Sequence, residues 1–578
     1  EVEGRIEYDG CVVLTLTLAA ADKTGVTVDD LALDLTWLKA QAGLATGLGY
    51  RGRREGNRNW RHIERSALGF SPDLWMGSVE AGLGWITWVN PTSSDKAIPG
   101  LGGGQASNIN NAGAWEDVRR PDAATVSEES DGVVLRLHFG RHALKPGAPW
   151  RFTFALRPTP IKPADPRHWQ FRYMHKGGSF WPSDTDTPQS FLKDNCRRLD
   201  QVVNDLGVKR LNLHDWWGPA FNYAWQWEGP DNLARLTAEA HKRGIFVKVY
   251  NSGREMSCFA PEFWAMVQEA SGTQRCSDVQ PEPKHLFQDA WHPNHLPDNL
   301  PGGWPRLHSD LGNEHVVPVS NATRNGNFYL ESMRYMTRFF GTDGAYWDGA
   351  DGPTLGHREM AKRLWTIFRQ TNPRATIDVH HGHALIDSPI SSLMLCLPFI
   401  DSLWNGEGFD YERFDPWAWL VEIAGLPFNV PAEMLGGDDF IGRGMLFGIW
   451  PRHGWIKETE NVPKLWRFFD EFGIQKARMR GWWDQPNGVI VDRPNTYVTA
   501  YCHPCNGVLL AIASWYELMP AWMQMTFDVS LTLDRRRLGL PRGALKAVDV
   551  FTKTEVDIDR PVPLPDLKAG RLIWVRPS

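Results

Sequence analysis

No apolar run in the chain reaches the roughly 18 residues that a membrane-crossing helix needs, so nothing in the sequence predicts a membrane span. Blocks of one charge are missing too. The 62 Lys and Arg and 68 Asp and Glu leave a net charge of -6 that is spread along the chain, and no basic stripe marks a nucleic-acid partner. Cysteine is scarce: 7 in 578 residues, an odd number that does not describe a disulfide framework. Cys502-His503-Pro504-Cys505 has the spacing of a redox pair or half a metal site, but no second pair accompanies it and its flanks read as β. There is no internal repeat and no low-complexity tract. The chain opens at Glu1 with no charged-then-apolar leader. The expectation is that any targeting segment was removed or never included; removal of a signal peptide would make the protein periplasmic or secreted, and otherwise it is cytoplasmic.

What the sequence does have is tryptophan. There are 29, many paired or clustered, such as Trp216-Trp217, Trp225 with Trp227, Trp417 with Trp419, and Trp482-Trp483. An indole offers a broad apolar face and one donor, which matches the apolar face and polar rim of a sugar ring. For any single tryptophan the plain alternative is filling a core or a domain seam. Hydrophobic residues at 42% and charged residues at 22% describe an ordinary globular protein, and the length suggests several domains.

Three patterns follow one another. Residues 1–160 alternate polar and apolar in short runs between glycine-rich turns, for example 12–18, 84–89, 133–138 and 150–156, which predicts an N-terminal β-sandwich. Three prolines in 157–163 predict a stiff linker. Over 161–480 apolar β runs alternate with amphipathic helical ones such as 190–206, 232–243 and 261–270. Strands are expected at 169–174, 210–214, 245–250, 344–347, 375–379, 400–404, 426–430 and 445–450, the eight that a (β/α)8 TIM barrel requires. The stretch 271–325 is too long for a plain connection and is expected to cap the barrel. Residues 481–578 return to short strands and predict a small C-terminal β-sandwich.

In such a barrel the chemistry sits just past the strand ends. Those positions read Asp215 after strand two, Asn251 and Arg254 after three, Asp348 and Asp351 after four, and His380, His381 and His383 after five. They continue with Asn405 and Glu407 after six, Glu433 after seven, and Arg452 with His453 after eight. Asp348 stands out. The run Gly344-Ala345-Tyr346-Trp347-Asp348-Gly349 delivers an aromatic pair and then a carboxylate into a glycine, which clears bulk where a ligand must come close. Leu403-Trp404-Asn405-Gly406-Glu407-Gly408 echoes it, with Glu407 as the partner acid and Glu433 as the rival. Two carboxylates across a glycosidic bond are the minimal machinery for its hydrolysis, and their separation separates retention from inversion. Candidates for holding the substrate are Asp215, Trp216, Lys248, Arg254, Trp347, His381, Trp404, Glu433 and Arg452. His380-His381-Gly382-His383 also suggests a metal-dependent hydrolase, although strand one does not end in His-x-His.

With Tyr346-Trp347-Asp348-Gly349 after strand four and Glu407 after strand six, the arrangement resembles the bacterial TIM-barrel glycoside hydrolases of the retaining α-galactosidase and α-N-acetylgalactosaminidase superfamily. That resemblance implies Asp348 as nucleophile and Glu407 as general acid/base. The junction Phe154-Ala155-Leu156-Arg157-Pro158-Thr159-Pro160-Ile161-Lys162-Pro163 is similar to the segment entering the barrel in proteins like glycoside hydrolase family 123. This second resemblance implies an adjacent Asp-Glu pair and help from the substrate's own acetamido group, and no Asp-Glu dipeptide stands at a predicted strand end. The expected protein is an exo-acting retaining glycosidase for α-linked galactose-like or N-acetylhexosamine units, with a carbohydrate as partner and no cofactor or metal. A non-catalytic sugar-binding barrel and a metal hydrolase are the alternatives.

Overall fold

The computed structural model describes residues 1–21, 23–60, 73–87, 122–175, 188–213, 230–252, 255–257, 303–305, 313–316, 324–348, 355–381, 389–405, 411–412, 414–434, 438–454, 459–518, 527–564 and 570–578.

The alternation of the first 160 residues folds into two antiparallel sheets. One has seven strands, running in spatial order Val2–Ile6, Val12–Leu18, Trp150–Thr159, Gly82–Thr87, Leu74–Gly77, Leu44–Gly47 and Tyr50–Arg53; the other has four, Val26–Leu38, Gly132–Leu144, Ala124–Glu128 and Arg58–Trp60. Trp85, Phe152 and Phe154 of the larger sheet meet Trp37, Val133 and Leu135 of the smaller in one core. The intervening residues Val13, Ile86 and Ala155 face the other way and join the core of the next unit. A period of two with both faces apolar therefore buries the middle strands of the larger sheet on both sides, while its edge strand Val2–Ile6 stays exposed.

The 157–163 segment is not a free spacer. Arg157 still belongs to strand Trp150–Thr159, the Ile161 amide donates to the Phe428 carbonyl, and the Lys162 ammonium is buried on the Ile400 carbonyl.

The central unit is one parallel sheet in chain order: β1 (Tyr173–His175), β2 (Arg210–Leu213), β3 (Phe246–Ser252), β4 (Gly344–Asp348), β5 (Thr376–His381), β6 (Ser402–Asn405) and β7 (Ala432–Met434). Helices α1 (Pro188–Gln201), α2 (Pro230–Lys242), α3 (Arg324–Tyr335) and α4 (Leu355–Thr371) lie in its crossovers. Two expected strands fall elsewhere. Residues 426–430 form the 3-10 turn Leu426–Phe428, bracketed by left-handed Gly425 and Asn429, and β7 follows it. Residues 445–450 continue from the helix Ile441–Met445. The eighth position is taken by 451–453, which bridges both edges of the sheet in parallel, Met434 to Pro451 and Met174 to His453.

Two buried aspartates cap the sheet at its amino end. Asp343 accepts from the Val247 amide at 2.8 Å and from Asn372 at 3.1 Å, and Asp401 accepts from the Ile377 amide at 2.9 Å. Of the predicted cap over 271–325, the described strand Asn313–Val316 pairs with Gly303–Pro305 on one side and Glu255–Ser257 on the other in a small antiparallel sheet, and residues 324 and 325 open α3; the rest, and helix 261–270, lie outside the described residues.

The last unit is built on a five-stranded antiparallel sheet. It is tied to the barrel by Arg443, which donates to the Ser514 carbonyl at 2.8 Å and to Glu517 at 2.6 Å. Cys502 to Cys505 form the hairpin joining Thr496–His503 to Gly507–Ser514, where Nδ1 of His503 accepts the amides of Cys505 and Asn506. Among the described residues no helix is long and apolar enough to cross a membrane.

Candidate active site

Strand β4 starts unusually close to its neighbour. Gly344 has φ +125°, and a Cβ there would stand 1.9 Å from the Thr376 carbonyl oxygen, so only glycine fits. From that point the side chains alternate. Trp347 turns outward and stacks on Tyr329 of α3 with ring centroids 6.0 Å apart. Tyr346 turns inward and stacks on Trp404 at 4.2 Å, which places Asp348, two residues on, inside the barrel at its carboxyl end.

Asp348 is held from both sides. Tyr250 of β3 donates its hydroxyl to Oδ2 at 2.6 Å, and Nδ1 of His380 on β5 lies 2.9 Å from Oδ1. Tyr250 pairs in register with Tyr346, so its phenol reaches up from the layer beneath. Both partners stand on strands, which fixes the carboxylate more tightly than loop residues would.

Registers continue the line around the barrel. Trp347 pairs with Val379, so Asp348 is level with His380; His380 pairs with Trp404, and Trp404 with Glu433. Because barrel strands tilt, a line of register partners spirals along the axis. Side-chain exposure tracks that descent, from 22% at Asp348 and 8% at His380 to 0% at Trp404 and 2% at Glu433. Glu433 is thus inside β7 and deep, not past the strand. It accepts from Nε of Arg452 at 3.2 Å. Burial pushes its carboxyl up to about 7, against the pull of Arg452 and Lys248. Arg452 lies over the Trp404 ring and donates to Nδ1 of His175 at 3.1 Å.

Lys248 lies deeper still, ion-paired with Asp378 and donating to Tyr173 and Thr376. It is fully buried, and burial holds its ammonium well below the usual range. A lysine so enclosed braces the barrel interior and does not line its mouth.

Of the sequence candidates, the structure brings Asp348 to the mouth. Trp404, Glu433, Arg452 and Lys248 form the packed interior below it, and Trp347 belongs to the strand-helix layer. His381 stands on the opposite side of β5 from His380, so those two imidazoles do not converge as a metal site requires. Among the described residues no group of three metal-ligating side chains does. Glu407, Asp215, Trp216, Arg254, Asp351 and His383 lie outside the described residues. Tyr250 was missed by sequence reasoning, which sought the partners of Asp348 among the residues past the strand ends. The signal was the two-residue alternation that makes Tyr250 an inward residue beside β4.

Comparison with known proteins covers almost the whole chain. The family models for glycoside hydrolase 123 match with the third domain at 1–160, the TIM-barrel domain at 166–454 and the C-terminal domain at 461–574. No curated protein matches the sequence significantly. Solved structures similar to this chain include a maltogenic α-amylase from Thermotoga neapolitana, with 11% identity, TM-score 0.44, and coverage of 71% of this chain and 99% of that one. A family 36 α-galactosidase from Geobacillus stearothermophilus has 10% identity and TM-score 0.44, covering 98% and 77%. A cycloalternan-degrading enzyme from Trueperella pyogenes has 12% identity and TM-score 0.44, covering 98% and 81%.

Proposed function

The chain belongs to glycoside hydrolase family 123 and is a glycoside hydrolase, and from that premise we propose that Asp348 is its reactive carboxylate. The observation that carries this is the partly exposed carboxylate at the carboxyl end of β4, gripped by Tyr250 and His380. The reading is an exo-acting retaining enzyme that removes a galactose-like or N-acetylhexosamine unit. Asp348 attacks the anomeric carbon, and a carboxylic acid protonates the leaving oxygen and then activates water. The burial of Glu433 beside Trp404, in an ion pair with Arg452, supports Glu407 as that acid and base. The tryptophan-rich composition supports a carbohydrate partner.

Replacing Asp348 by Ala is expected to abolish turnover of 4-nitrophenyl glycosides. Azide is expected to restore part of the rate and to yield a glycosyl azide of inverted anomeric configuration. Undiminished activity in that variant would sink the assignment.

A second reading is favoured by the same grip. With both oxygens held in place, Asp348 would instead orient a substrate acetamido group, whose own oxygen then attacks the anomeric carbon. This reading predicts that substrates without the acetamido group are not cleaved, and that no glycosyl-enzyme can be trapped on Asp348.

A further inference from the structure

We propose that Tyr250 and His380 are positioning residues that set the plane of the Asp348 carboxylate, and that His380 does so as the tautomer carrying its proton on Nδ1. The proposal rests on Asp348 being the reactive carboxylate.

A carboxylate has no proton to give, so the polar hydrogens in both contacts must come from the partners. The Tyr250 hydroxyl points at Oδ2 from below at 2.6 Å, and the His380 ring approaches Oδ1 from the side at 2.9 Å. Two donors on the two oxygens, from strands flanking β4 on either side, leave the group no freedom to rotate about its Cβ–Cγ bond. The surroundings hold the rings in turn. Tyr250 packs on Tyr346 with centroids 5.5 Å apart, and His380 lies 6.0 Å from the same ring. Among the described residues Asp348 and Tyr346 face the imidazole, and Trp404, level with it on β6, stands between it and the Glu433 and Arg452 pair. Asp348 is the acid in direct reach, so the proton between the two is placed on Nδ1. The reacting oxygen needs this constraint because attack on an anomeric carbon, or alignment of an acetamido group, tolerates errors of only a few tenths of an ångström.

The test uses the full chain and four variants, Tyr250→Phe, His380→Leu, His380→Asn and Asp348→Asn. Turnover is measured on 4-nitrophenyl α-galactoside and on the α- and β-N-acetylgalactosaminides. Tyr250→Phe and His380→Leu are expected to lower kcat by about 10- to 100-fold with KM nearly unchanged. His380→Asn, whose amide nitrogen falls where Nδ1 was, is expected to recover most of the loss. Equal loss in His380→Asn and His380→Leu, or unchanged kcat in Tyr250→Phe, overturns the proposal. Full activity in Asp348→Asn instead overturns the reading it rests on. Nitrogen-15 spectra of histidine-labelled protein, with His380→Asn used for assignment, decide the tautomer without any substrate. A proton on Nδ1 supports the proposal, and a neutral ring protonated on Nε2 removes the donor and overturns it.

Discussion

Glu433 and Arg452 form an ion pair inside the barrel, 3.2 Å apart, with the guanidinium lying over the Trp404 ring beneath the mouth. Removed from water, the carboxyl is pushed up to about 7 from an ordinary value of 4.5.

That shift has a sign. Between about pH 4.5 and 7 the folded chain holds a proton at Glu433 that the unfolded chain has lost, so its contribution to stability falls as pH rises through this window. The full effect is on the order of 3 kcal/mol. Glu433→Gln should match the wild type in stability near pH 5 and exceed it above pH 7, as read by chemical denaturation at both values. A variant less stable than wild type at pH 8 would show that the pairing with Arg452 outweighs the cost of burial.

Asp9 behaves in the opposite sense. Burial works against its charge, but hydrogen bonds from Arg358 of α4 at 2.7 Å and Arg157 at 2.8 Å outweigh it and bring its carboxyl down to about 2. The resulting stabilisation is present above about pH 3.8 and is lost as pH falls towards 2. It amounts to about 2 kcal/mol. Asp9→Asn removes it and loosens the N-terminal sheets from the barrel, so a lower Tm and faster proteolysis near the 157–163 junction are expected at pH 7. The difference in Tm should shrink in acid.

Trp347 faces α3, not the sugar site. Trp347→Phe is expected to cost about 2 kcal/mol of stability while leaving KM within about twofold of wild type. A large rise in KM with no loss of Tm would return the indole to the substrate.

Asp343 gathers three donors at the amino end of the barrel: the Val247 amide at 2.8 Å, His241 at 2.7 Å and Asn372 at 3.1 Å. Asp343→Ala strands a buried amide and should cost roughly 3 kcal/mol. Because this is the face opposite the mouth, kcat/KM of the remaining folded protein should not change.

The β4 segment was legible because two local rules agree there: an apolar run ends in Asp348, and glycine follows it. Strands β2, β3 and β5 were legible for the same reason, being short apolar runs between amphipathic helices. Residues 426–430 misled because an apolar Leu-Pro-Phe turn looks like a strand until Gly425 and Asn429 take left-handed conformations around it. Residues 445–450 misled because their apolar character serves a seam. The Met445 carbonyl accepts from the Tyr501 hydroxyl at 2.5 Å, and Arg443 beside it reaches across to Ser514.

By itself the sequence determined the order of the units, the parallel sheet and the carboxylate at the end of β4, since periodicity and strand-end chemistry are local properties written into consecutive residues. Only the tertiary structure decided how deep each candidate lies. The tilt of the strands turned Glu433, Trp404 and Arg452 from rim residues into a buried layer, and the parallel pairing of β3 and β5 with β4 brought Tyr250 and His380 to either side of Asp348. Those relations depend on register between separate strands, with Asp348 lying 98 residues from Tyr250 and 32 from His380 in the chain, which no local pattern records.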